Sequence, residues 1–95
     1  MRLSPADIEA CQQVAQAADA TARQITREVA RRCGLRMADI MGPQTTAKIS
    51  RARQIVMLAC HAAGLTTTEI GKFLSRDHST VIHGIRAEKA RRDDG

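Results

Sequence analysis

Apolar and small side chains recur every three or four positions at Ile8, Cys11, Ala15, Ala18, Ala22, Ile25, Val29 and Cys33. This spacing lines one helical face and predicts one long helix or two consecutive ones, with Asp19-Ala20-Thr21 as the candidate break. Ser4-Pro5-Ala6-Asp7 supplies its start: a hydroxyl cap, a proline at the first helical position and an acid in the first turn. Gly34 is placed to end it. A short helix is expected over residues 37–41, stopped by Gly42-Pro43. Residues 42–50 read as a loop, with Ser50 capping a helix over 51–63 whose Ile55, Leu58, Ala59 and Ala62 form an inward stripe. Gly64 closes that helix. Thr66 and Glu69 make a capping box that opens a short helix carrying Ile70, Phe73 and Leu74. After Ser75-Arg76, Asp77 can cap a last helix running to about residue 92.

Composition narrows the architecture. Phe73 is the only aromatic residue, so the core must be built from aliphatic side chains, Met and Ala. With only two prolines and few β-branched runs, the expectation is an all-α fold, a small helical bundle in one domain of 95 residues. Cys11, Cys33 and Cys60 are odd in number and far apart, which indicates neither a zinc site nor a disulfide framework but buried thiols in a reducing cytoplasm. The first residues lack the apolar run of a signal peptide, and no stretch approaches the ~18 apolar residues of a membrane span. Fifteen Lys/Arg against ten Asp/Glu give a net charge of +5, which suits a polyanionic partner without requiring one.

Chemistry concentrates in Arg76-Asp-His-Ser-Thr-Val-Ile-His83. At about 100° per residue, Ser79, His83 and Arg86 share a stripe about 60° wide, while Val81 and Ile85 point away. His78 lies nearer the apolar side, yet at the helix tip it projects outward. Following the short helix from Thr67 to Leu74, this octet has the layout of a helix-turn-helix, whose second helix presents its first turn to base edges in the major groove. Asp77, His78 and Ser79 have groups suited to base edges. Thr80 and the helix N-terminal amides suit a phosphate oxygen. The competing reading is a plain helix cap with two surface histidines. Gly71, unfavourable inside a helix by ~1 kcal/mol, tips the balance by suggesting a close approach of the two motif helices.

A second constellation, Arg51-Ala52-Arg53-Gln54, places cations at a helix start, where they oppose the dipole unless phosphates arrive. It reads as either a phosphate site or a solvated basic turn. Lys48 in the preceding loop can reach toward a minor groove. The Arg23, Arg27, Arg31 ridge reads first as a solvated face and second as a partner surface. No phosphate loop, metal-ligand spacing or catalytic triad is present in the sequence, so neither catalysis nor a cofactor or metal is expected.

Three stretches, Arg51-Ala-Arg-Gln-Ile-Val-Met57, Thr68-Glu-Ile-Gly71 and Arg76-Asp-His-Ser-Thr-Val-Ile-His83, together resemble the C-terminal DNA-binding domain of the bacterial replication initiator DnaA. The resemblance runs from about Ile25 to Arg92, dividing the chain into an N-terminal helix (1–24) and a helix-turn-helix domain (25–95). It implies a Trp-repressor-like helical fold that reads a short box in double-stranded DNA. By matching position, Arg53 and Gln54 would hold phosphate, Asp77, His78 and Ser79 would meet bases, and Thr80 and His83 would support the contact. The whole expected DNA-facing set is Lys48, Arg51, Arg53, Gln54, Thr67, Thr68, Arg76, Asp77, His78, Ser79, Thr80, His83 and Arg86.

The departures matter too. Ser79 stands where the family has Thr, losing a methyl that can touch a thymine methyl. Thr45, Thr46 and Ala47 occupy a normally basic loop, Ala52 replaces the family's Pro, and the segments around Gly64 and Ser75 are short. No phosphate-loop ATPase module accompanies the domain in this sequence, so the chain reads as a fragment or a free-standing relative. The expected function is sequence-specific DNA binding, in transcription regulation (of a prophage-like or gene-transfer cluster, for example) or at a replication origin. Replication or transcription proteins are further candidate partners; a membrane is not. The alternative is a protein-interaction module that mimics the initiator domain and regulates replication without tight DNA binding.

Overall fold

The computed structural model describes the backbone of residues 5–94 and the side-chain environments of residues 19–93. Five helices follow one another: α1 (Pro5–Cys33), α2 (Met37–Met41), α3 (Ala47–Ala62), α4 (Thr67–Leu74) and α5 (His78–Asp94). The all-α expectation is met. Helix α1 runs unbroken through Asp19-Ala20-Thr21, a stretch with no Gly or Pro to interrupt it and with the best helix former, Ala, on both sides. It also passes without interruption through residues 24 and 25. The Ser4 cap, and the side chains of Ile8, Cys11, Ala15 and Ala18, lie outside the described residues.

Over its described half, α1 buries Ala22, Thr26 and Ala30, flanked by half-buried Ile25, Val29 and Cys33. Thr26 was not part of the apolar pattern. It is fully buried because its hydroxyl donates to the Ala22 carbonyl at 2.7 Å, so its polar atom is satisfied within the helix.

Helix α3 corrects the sequence reading twice. It begins at Ala47, capped by Thr46 and not by Ser50, so the loop shrinks to residues 42–46. Its buried face is Ile49, Ala52, Arg53, Val56, Met57 and Cys60, with Leu58 at the margin; Ile55 and Ala59 are half-buried and Ala62 is exposed. These positions follow the helical period well. The arginine in the middle of the stripe disguised it.

Ile40, Val56, Cys60, Ile70, Leu74 and Val81 are shut away from solvent where α3 packs between α1 and α5 and α4 closes over them. Of the expected buried thiols, Cys60 is fully buried, and desolvation pushes its thiol up to about 11. Cys33 is only half-buried.

Three helices end alike. Gly34 (φ 67°) and Gly64 (φ 102°) take the left-handed conformation, and Leu35 and Leu65 donate back to Ala30 O (2.8 Å) and Cys60 O (3.1 Å). At the end of α4 the same role falls to Ser75 (φ 55°), with Arg76 N–H donating to Gly71 O at 2.8 Å. A left-handed L-residue costs about 1–2 kcal/mol, part of which glycine would give back as unfolded-state entropy. Ser75→Gly is therefore expected to raise stability by about 0.5–1 kcal/mol. Urea denaturation checks this, and a lowered midpoint contradicts it.

Candidate functional site

Helices α4 and α5 and the turn over residues 75–77 form the helix-turn-helix. The α4 capping box is present: Glu69 N–H donates to Thr66 Oγ1 at 3.1 Å, and Thr66 N–H to Glu69 Oε1 at 2.9 Å. That backbone hydrogen bond is the main reason the Glu69 carboxyl titrates below its usual range. Gly71 is buried, and a Cβ built on it would lie 2.6 Å from the carbonyl oxygen of Arg76. The close approach foreseen for this glycine is therefore with the turn itself.

On α5, Val81 and Ile85 are buried while Ser79, His83 and Arg86 are exposed, as the helical arithmetic requires. His78, despite its angular position, is 61% exposed in its side chain. Asp77 stands immediately before the helix, but no hydrogen bond among the described residues joins its carboxylate to the helix amides. Instead its Oδ1 lies 3.2 Å from Nδ1 of His78. The expected side-chain cap is absent and the two groups form one polar tip.

A groove beside this tip is lined by Thr45, Ser50, Arg53 and Gln54 from the loop and α3, Arg76 from the turn, and Thr80, His83 and Gly84 from α5. The fold thus brings together Arg53, Gln54, Arg76, Thr80 and His83 from the expected set. Ser50 and Thr45 were not foreseen as lining residues; Ser50 precedes Arg53 and Gln54 by one helical turn, which was the available signal.

Arg53 is not a free surface cation. It is 6% exposed, its Nε donates to Ile40 O at 2.9 Å, and its Nη2 donates to Gly42 O and Gln44 O at 3.0 Å and to Asp39 O at 3.4 Å. Arg76 Nη2 reaches the same Gly42 carbonyl at 2.6 Å, and its Nη1 donates to Leu74 O at 2.6 Å. Two guanidiniums thus tie the helix-turn-helix turn to the loop before α3. Burial, and secondly the charge of Arg76, hold the Arg53 guanidinium below its ordinary value. Two guanidinium charges thus converge at this groove, beside the hydroxyls of Ser50 and Thr80 and the amide of Gln54.

Lys48 and Arg51 lie elsewhere. Both belong to the first turns of α3, not to a loop and a helix start, and they border an apolar hollow with Cys33, Ala47, Ala52 and Ile55. Lys48 Nζ hangs near Gly34 at the C-terminal end of α1, where a cation meets the negative end of that helix. Thr67 is half-buried and Thr68 exposed at the start of α4. On α1, Arg23 and Arg27 are exposed, and Arg31 pairs with Glu28 at 2.6 Å.

Comparison with known proteins agrees with this geometry. A family model described as the bacterial dnaA protein helix-turn-helix matches residues 22–87. The chromosomal replication initiator protein DnaA of a Ruegeria species is 40% identical over 68 residues, 70% of this chain and 14% of that protein. The DnaA of Ruegeria pomeroyi is 37% identical over 79% of the chain, and that of Neisseria meningitidis serogroup C 40% over 78%. The matched part spans only 14–17% of these relatives. No solved structure matches the chain. With its helix-turn-helix in place and about seven-tenths of its length matched, the chain belongs to the bacterial DnaA helix-turn-helix family.

Proposed function

We propose that this domain binds double-stranded DNA in a sequence-specific way, with the first turn of α5 in the major groove and the Arg53–Arg76 groove against a phosphate. Family membership supports DNA binding. The observation that carries the specific reading is the exposed Asp77-His78-Ser79-Thr80 tip set directly beside a groove that two guanidiniums line. Base contacts from the tip would specify sequence, and the groove would fix register. In the cell such binding would serve transcription control or a replication origin, which places the domain at the nucleoid. Among the described residues, no helix is long and apolar enough to cross a membrane.

Selection from random duplexes at moderate salt tests this, with an enriched short motif expected; recovery of none overturns it. His78→Ala is expected to relax preference at one base position by about 1–3 kcal/mol, read from affinities for single-base variants of the selected site. A protein-interaction role without tight DNA binding is favoured by one observation, the exposed Arg23 and Arg27 on α1. Capture of replication proteins together with negligible duplex affinity would establish it instead.

A further inference from the structure

Glu88 is a charged residue with almost no exposure, on the inner face of α5 about three helical turns beyond the reading tip. Both its oxygens are occupied: Arg91 Nη1 bonds Oε2, and Arg92 Nε bonds Oε1 at 3.2 Å. The other terminal nitrogen of Arg91, Nη2, crosses to α3 and donates to Oε1 of Gln54 at 2.9 Å.

This bond decides which way the Gln54 amide faces. A guanidinium has five donors and no acceptor, so the amide must offer it the oxygen. The amide nitrogen, with both of its N–H groups, is then turned away from Arg91. Gln54 lines the groove together with Ser50, Thr80 and His83, and Arg91 does not line it.

We propose that Arg91 is a positioning residue: anchored on buried Glu88, it locks the Gln54 amide with its N–H groups directed toward the groove, ready for a DNA phosphate oxygen. This rests on the reading that the groove receives phosphate. A half-exposed glutamine left free would sample several rotamers and both amide orientations; holding one in advance removes that ordering cost on binding.

The test measures duplex affinity across a salt series for the whole chain and for Gln54→Ala, Arg91→Ala, Arg91→Lys and the double variant Gln54→Ala/Arg91→Ala. Gln54→Ala is expected to weaken binding about five- to tenfold, the scale of one hydrogen bond to a charged group. Arg91→Ala is expected to weaken it about two- to fivefold in the parent, yet to change nothing further in the Gln54→Ala background. Arg91→Lys keeps a cation on Glu88 and so protects the fold, but one ammonium cannot serve both partners; it should bind like Arg91→Ala while melting like the parent.

The salt slope should stay unchanged in every variant, since a neutral amide releases no counterions. If Arg91 touched phosphate itself, the slope would fall by about 1. In the free protein, the side-chain amide signals of Gln54 should be distinct and should collapse toward those of a free glutamine in Arg91→Lys. Equal losses for Arg91→Ala in both backgrounds, a reduced slope, or unaltered Gln54 signals overturn the proposal. Duplex binding by the parent that is insensitive to Gln54→Ala overturns it while leaving the DNA reading standing. If the parent binds no duplex, the reading and the proposal fall together.

Discussion

Arg53→Ala is expected to lower folding stability by about 2–4 kcal/mol, the scale of stranding buried acceptors of a charged donor. The side chain that would be lost serves Ile40 O at 2.9 Å and both Gly42 O and Gln44 O at 3.0 Å, so truncation strands acceptors at the end of α2 and along the loop into α3. The Ile40 carbonyl belongs to a residue with no exposure and gains no water in exchange. The partly open Gly42 and Gln44 carbonyls recover some solvation, which sets the lower bound. Arg53→Lys should recover only part of the loss, because one ammonium cannot span acceptors that a planar fork reaches together. Urea unfolding at neutral pH measures both variants. A purely phosphate-binding arginine would behave oppositely: unchanged stability and a duplex salt slope reduced by about 1. That pattern would overturn the structural role given to Arg53.

Gly71→Ala is expected to damage both the fold and the reading head. The added methyl would meet Arg76 O at 2.6 Å and His78 N at 3.6 Å, both backbone atoms, so relief requires moving the turn and not a side chain. Overpacking of this kind costs about 1–3 kcal/mol, of which the better helix propensity of Ala returns up to ~1. The displaced segment carries Arg76, Asp77 and His78, so duplex affinity should fall by at least tenfold in addition, the order expected when bonded groups at an interface lose register. Calorimetry and binding on the same sample separate the two losses. Parent-like affinity in a variant that has lost stability would show that the turn relaxes without moving the tip.

Much of this molecule is legible in its sequence. The α4 capping box depends on residues three apart, Thr66 and Glu69, and forms as expected. The glycines at 34 and 64 end α1 and α3 because the left-handed residue there is set by local sterics. The outward stripe of Ser79, His83 and Arg86 opposite Val81 and Ile85 needs only the helical period.

Other features misled for identifiable reasons. Ser50 is as good a cap as Thr46 by residue type, yet α3 begins a turn earlier, where Thr46 Oγ1 accepts from the amide of buried Ile49. Lys48 thereby lies in the first turn of α3 and not in a loop, and with Arg51 it borders the apolar hollow by Cys33. Asp77 looked like a cap by position, but its carboxylate leans on His78.

By itself, then, the sequence determined the class of fold, most helix ends and the exposed tip, since each follows from interactions within a few residues of chain. Tertiary structure alone decided what the charged and polar side chains of α3 do. Arg53 turns inward to carbonyls 9 to 14 residues away, and Gln54 turns to an arginine 37 residues away. Such partners are set by how α2, α3 and α5 pack. A buried guanidinium must take whatever acceptors the fold brings within reach, because leaving it unpaired would cost more than any local preference supplies.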